Sequence, residues 1–169
     1  MKENYFNKIK GITTYEKIKS FADDEQLEMI EKQYKQGRLY FYGVDDVKKI
    51  DKEKNIVVFL ENRCTDAATL MPFLDKIAYI NNNIKLHFCS ANENEELLVE
   101  TFGEKKIPTV VALNSEMEVS GVYREFPIKV KKLIERNPEK KEMIVKGEFR
   151  KGKYNLDIQK DIIELLLTV

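Results

Sequence analysis

Cys64 is the residue in this 169-residue chain whose neighbours best equip it for chemistry. It stands in Arg63-Cys64-Thr65-Asp66-Ala67, after the apolar run Ile56 to Leu60 and before a segment patterned as a helix. A thiol reacts as its thiolate, and a sulfur at the first turn of a helix meets the positive end of the macrodipole and unpaired backbone N–H groups. These residues therefore predict a lowered Cys64 pKa, with Arg63 assisting and Asp66 opposing. The other cysteine, Cys89, ends a later apolar run and reads first as a buried strand residue. A single histidine, His87, excludes most zinc arrangements. Neither a Gly-rich phosphate loop nor a nucleophile elbow is present, and 7 glycines leave little room for either, so the residues call for no metal and no cofactor.

Several elements must position this thiol. Ile56 to Leu60 is a continuous apolar run of strand length, β-branched at its start, as in a strand buried on both faces. Ala67, Ala68, Leu70, Met71, Leu74, Ile77 and Ala78 describe a helix with Pro72 inside it, which removes one backbone donor and predicts a kink. Ile84 to Phe88 reads as a second strand. Asn92 and Glu95 can form a capping box for a helix ending near Gly103. Strand, helix, strand, helix implies a parallel pair with helices on the sheet faces. Thr109 to Leu113 and Glu118 to Tyr123 are joined by a connection short enough only for an antiparallel hairpin. A Lys-rich amphipathic helix with Val130, Leu133 and Ile134 follows Pro127, then a polar interval, then a helix on Ile158, Ile162, Leu165 and Leu166.

The first third reads as helical. Thr13 or Thr14 can cap a helix through Tyr15, Ile18 and Phe21, and Leu27, Ile30 and Tyr34 form an apolar stripe that Gly37 ends. The aromatic cluster Tyr40, Phe41 and Tyr42 reads as packing, before a short segment with Val44, Val47 and Ile50. Residues 1–54 are thus a helical N-terminal extension packed on a core domain of residues 55–169.

Lys+Arg number 29 against 29 Asp+Glu, so no net field draws nucleic acid or anionic lipid. The basic stretches Lys129 to Lys132 and Lys146 to Lys153 are interrupted or flanked by acids and read as solvated surface. No apolar run approaches the roughly 18 to 20 residues of a membrane span, and Met1 to Lys10 lacks the apolar centre of a signal peptide. The expectation is an intracellular, cytoplasmic protein whose two cysteines are structural thiols or redox groups rather than a disulfide scaffold.

The order strand, cysteine, helix with proline, strand, helix, Ile107-Pro108-Thr109, hairpin resembles the thioredoxin superfamily. The separations of Cys64 from Pro72 and from Ile107-Pro108-Thr109 look like those of thioredoxins, as does Met71-Pro72-Phe73-Leu74-Asp75-Lys76-Ile77-Ala78. A closer resemblance is to bacterial thioredoxin-like proteins with a motif of Trp-Cys-x-Asp-Ala type, a preceding Thr-Tyr segment and an Arg-containing turn after the hairpin. Here these are Arg63-Cys64-Thr65-Asp66-Ala67, Thr14-Tyr15-Glu16 and Tyr123-Arg124-Glu125-Phe126-Pro127, with Arg63 in place of the tryptophan and Glu125-Phe126 separating Arg124 from its proline.

The resemblance implies an α/β thioredoxin-like fold: a central mixed sheet flanked by helices, with an N-terminal helical extension and an extra C-terminal helix. It implies a cis Pro108 facing Cys64, with the backbone of Ile107 free to pair with an extended peptide. Arg124 would add to the lowering of the Cys64 pKa from across the hairpin. Cys64, Pro108, Arg124 and Asp66 form the implied reactive group, and Arg63, Thr65 and Ile107 its substrate-binding neighbours. Ala67 takes the place of the usual second cysteine, and Val58 that of a buried carboxylate that serves it, a paired loss that avoids the desolvation cost of an idle acid. Cys89 would sit on the strand beside the one leading to Cys64 and could resolve a disulfide there if the Cα atoms lie within about 7 Å. A monothiol thiol-disulfide oxidoreductase follows, with a protein or low-molecular-weight thiol or disulfide as partner. The alternative is a binding module for a peptide or protein with no surviving thiol chemistry. The terminal helices are candidates for a homodimer contact under either reading.

Overall fold

Lys54–Leu60 (β1) is an inner strand of a four-stranded sheet. Ile56, Val57 and Val58 are β-branched and suit a pleated surface packed on both sides, and all residues from Asn55 to Leu60 are buried. Ile84–Ser90 (β2) pairs with β1 in parallel; Thr109–Leu113 (β3) pairs with it antiparallel, and Val119–Arg124 (β4) extends the antiparallel edge. The chain therefore has the expected α/β class with a mixed sheet. These elements come from a computed structural model that describes residues 4–40 and 43–168.

Strand alternation sends side chains into two cores. Ile56, Val58, Leu60, Phe88, Val110 and Ala112 face the larger one, shared with Thr65–Ile80 (α4) and Asn155–Leu167 (α7). Val57, Phe59, Cys89, Val111 and Leu113 face the smaller one, closed by Leu97 and Leu98 of Glu95–Phe102 (α5) and by Tyr5 and Ile9. Pro72 lies inside α4 as predicted. The hairpin turns at Met117, φ 62°, with the Asn114 side chain accepting N–H bonds from Glu116 and Glu118 at 2.9 and 3.0 Å.

Before the sheet come Tyr15–Ser20 (α1), Asp24–Gln36 (α2) and Val44–Lys48 (α3). Thr14 caps α1 by accepting the Lys17 N–H at 3.3 Å. Just upstream, Thr13 exchanges backbone bonds with Phe88 and covers the outer edge of β2. The expected apolar stripe of α2 is corrected: its buried face is Gln26, Ile30 and Gln33, and Gln33 donates to the Thr69 carbonyl of α4 at 3.2 Å. Leu27 and Tyr34 instead line an open cleft of about 650 Å³ with Tyr15 and Asp75. Of the aromatic cluster, Phe41 and Tyr42 lie outside the described residues, and Tyr40 is exposed.

Two further expectations change. The capping box at α5 does not form, because Asn92 accepts from Lys105 at 2.9 Å and Asn94 bonds to Lys10 and Ser90. The polar interval after Ile128–Arg136 (α6) contains a π-helical turn, Met143–Glu148, and a 3-10 turn, Phe149–Lys151. Ile144, Val145 and Phe149 anchor it in the larger core, Phe149 meeting Phe126 edge-on with centroids 5.1 Å apart. No helix among the described residues is long and apolar enough to cross a membrane.

Candidate active site around Cys64

Cys64 is the N-cap of α4, and its sulfur accepts the Ala67 N–H at 3.4 Å. The preceding turn is closed by the Cys64 N–H on the Glu61 carbonyl at 3.0 Å. Glu61 is itself held by Ser90 and Asn92, which donate to its carboxylate at 2.8 and 2.7 Å, so the exit of β1 is tied to the exit of β2. The residue is partly buried. Phe59 is in register with Thr109, so Pro108 falls beside the same end of β1 from which the chain turns into Cys64. The Ile107–Pro108 bond is cis. Among the described residues, the N–H and C=O of Ile107 make no hydrogen bond.

Beyond Pro108 the chain makes an unusual turn. Glu125 has φ 59°, its N–H donates to the Pro108 carbonyl at 2.8 Å, and the next N–H, of Phe126, returns to Arg124 at 2.8 Å. A positive φ is uncommon outside glycine. Here it swings Phe126 into the core and leaves Glu125 on the rim. Glu125, Phe126, Asp66, Val145 and Arg150 line a groove of about 580 Å³.

The electrostatics reverse the predicted shift of the thiol. Burial raises the Cys64 pKa above its ordinary value and is the largest influence; the Ala67 N–H opposes it, Asp66 adds to the rise through its charge, and Arg150 lowers it by the least. Arg63 is exposed and is not among the groups acting on the sulfur. Arg124 points elsewhere: it donates to the Phe102 carbonyl at 3.4 Å, pairs with Glu104 at 3.5 Å and lies over the Phe102 ring. Thr65 opens α4 and accepts the Thr69 hydroxyl with its carbonyl at 3.1 Å.

Asp66 has a partner that sequence reasoning missed. Arg150 donates to it at 2.7 Å, with both side chains largely covered. This guanidinium lies in the basic stretch read as solvated surface, and its only sequence signal was the buried Phe149 beside it. Cys89 lies in the other core, fully buried, its thiol directed at the Val58 carbonyl at 3.8 Å. Both cysteines are free, and the sheet separates the core holding Cys89 from the one against which Cys64 packs. That placement gives the proposed resolving role no support. Among the described residues no group of three or more His, Cys, Asp or Glu is placed to hold a metal ion.

No curated protein matches the sequence. Among solved structures, the fold is similar to a protein of unknown function from Pseudomonas aeruginosa, with a TM-score of 0.81, 16% identity, and 97% of each chain covered. It is also similar to an HIV epitope scaffold, with a TM-score of 0.80 and 15% identity over 96% of this chain and 97% of that one. At such identities the likeness concerns the fold alone. The sequence model described as thioredoxin matches residues 11–142, which take in the cap of α1, the Cys64 turn, Pro108 and the hairpin. The chain therefore belongs to the thioredoxin family.

Proposed function

We propose that this chain is a monothiol thioredoxin-like protein that forms mixed disulfides through Cys64, in the cytoplasm, with a thiol or disulfide as its partner. The observation that carries this reading is a partly buried cysteine at the N-cap of α4, its sulfur accepting the Ala67 N–H, at the end of the sheet where Pro108 also lies. In the forward step the Cys64 thiolate attacks one sulfur of a disulfide. The Cys64–S bond forms, the substrate S–S bond breaks, and the departing thiolate takes the electron pair and then a proton. Cys64 is oxidised and the leaving sulfur reduced. With Ala67 in the place of a second thiol, an external thiol must attack the mixed disulfide to regenerate Cys64. A raised thiol pKa leaves less thiolate at neutral pH but a more nucleophilic one, so the rate should climb as the pH rises toward the thiol pKa. The free backbone of Ile107 supports an extended segment laid beside the sulfur.

The burial that raises the thiol also favours a second reading, a binding module that recognises a peptide at this edge without thiol exchange. Intact-mass measurement after incubation with a disulfide decides between them, using wild type, Cys64→Ser and Cys89→Ser. The redox reading expects one adduct on wild type and Cys89→Ser and none on Cys64→Ser. No adduct on any of the three, across neutral to alkaline pH, leaves the binding module.

A further inference from the structure

Lys106, Arg124, Lys131 and Lys141 converge on a cavity of about 320 Å³ between the Glu125 turn and α6, with Phe126 and Ile134 supplying apolar wall and Glu125 and Glu135 the carboxylates. Lys106 already pairs with Glu104 and Glu125 at 3.2 and 3.3 Å, and Arg124 with Glu104 at 3.5 Å. Lys131 differs. Its ammonium makes no ion pair within 4.0 Å among the described residues, although the side chain is half-buried and lies 5.9 Å from the Tyr123 ring. Burial is the main influence lowering its pKa; Arg124 and Lys106 add to it, while Glu125 and Asp161 oppose it. Glu125 and Asp161 attract this half-buried cation without reaching ion-pair distance, so an anion that came closer than they do would offset its burial.

The location says what such an anion belongs to. Glu125, Phe126 and Lys141 line both this cavity and the larger groove that reaches Asp66 and Arg150, next to the cap of α4. The two hollows thus adjoin across Glu125, Phe126 and Lys141, the first cationic and the second reaching Asp66, two residues along α4 from Cys64. The cationic end has room for a small polar group and an apolar contact, at the lower bound of volumes that hold small ligands.

We propose that the hollow between the Glu125 turn and α6 is an anion subsite, with Lys131 as its principal contact, and that it takes a carboxylate of a small peptide-like thiol or disulfide whose sulfur lies toward Cys64. The identity of the ligand rests on the mixed-disulfide reading, whereas the anion site stands on the cavity itself.

Two measurements keep those claims apart. The first uses Cys64→Ser protein and S-methylglutathione, a dicarboxylate that cannot exchange disulfides, with binding read by amide chemical shifts. Saturable binding is expected, weakened about tenfold by Lys131→Gln and restored by Lys131→Arg, a size typical of one charge-assisted hydrogen bond. Lys132→Gln, which changes an exposed neighbour on the same helix, should leave it unaltered. Absent binding, or binding indifferent to Lys131→Gln, overturns the subsite. The second compares rates of adduct formation on Cys64-containing protein with glutathione disulfide, neutral hydroxyethyl disulfide and cationic cystamine. The expected order has the anionic reagent first, and Lys131→Gln should lower the ratio of anionic to neutral rates by about tenfold. Equal rates with all three, unmoved by Lys131→Gln, overturn the subsite and leave thiol exchange standing. Lys131-dependent binding with no adduct from any disulfide leaves the subsite standing and removes the redox reading.

Discussion

The two cysteines end up on opposite sides of one sheet, and burial pushes both thiols in the same direction. Cys89 is sealed among Val57, Phe59, Leu98 and Val111, and its acidic neighbours Glu93 and Glu61 add to the effect, so its pKa is pushed up to about 12. Cys64 is also raised by burial, but two backbone N–H groups at the start of α4 and the Arg150 guanidinium work against the rise. What separates a reactive sulfur from an inert one here is therefore not the sign of the shift. It is the supply of donors at a helix start and the incomplete burial of the residue, both of which Cys89 lacks.

That contrast is broken most directly by alkylation of the folded protein. Cys64 should react with iodoacetamide without unfolding, whereas Cys89 should wait for an opening of the domain, which slows it by a factor on the order of 10³ or more. Peptide mapping of the labelled protein reads both rates at once, and comparable labelling of the two would show that Cys89 is not sealed. A smaller effect sharpens the same comparison through stability. An unfolded thiol ionises near its ordinary value of 9.0, and Cys89 in the fold not until about 12. Its contribution is therefore complete below the unfolded pKa and is lost as the pH rises from about 9 toward 12, at ~1.4 kcal/mol for each unit of pH. Cys89→Val, close in volume and unable to ionise, should flatten that part of the stability profile measured by urea unfolding. Tyr5 is also raised to about 12, chiefly by its own burial and in smaller part by the charge on Cys89, so Cys89→Val removes that smaller share as well and flattens the profile in the same direction.

The parts of the molecule legible in the sequence are those written in short-range pattern. Ile56 to Leu60 announced a two-faced strand because an unbroken apolar run has no face to leave in water, and Gly103 marked the end of α5 because its φ of 81° suits glycine. Long-range partners were not legible. Asn92 and Glu95 have the spacing of a capping box, but Lys105 lies close enough to take the Asn92 side chain, and a competing tertiary bond wins. The pKa of Cys64 was read from its helix position alone, while its burial depends on how Ala67, Leu70 and the larger core pack around it. Arg150 was hidden for the same reason: only the turn that buries Ile144, Val145 and Phe149 brings it back to Asp66.

The smallest effect tests that last point. Arg150 and Asp66 act on the same sulfur with opposite signs, so replacing them should move its titration in opposite directions. Arg150→Met removes a positive neighbour and should raise the thiol pKa; Asp66→Asn removes a negative one while keeping the backbone N–H, and should lower it. The rate of Cys64 alkylation at fixed neutral pH should accordingly fall in the first variant and rise in the second, and each should lose roughly 1–2 kcal/mol of stability with the largely covered bond between them. Arg63→Ala is the control, because an exposed guanidinium is screened by water and salt even when adjacent in sequence. If Arg63→Ala shifted the titration and Arg150→Met did not, the neighbour in the chain rather than the neighbour in space would govern Cys64. The pairing of Arg150 with Asp66 would then be a packing contact with no bearing on the thiol.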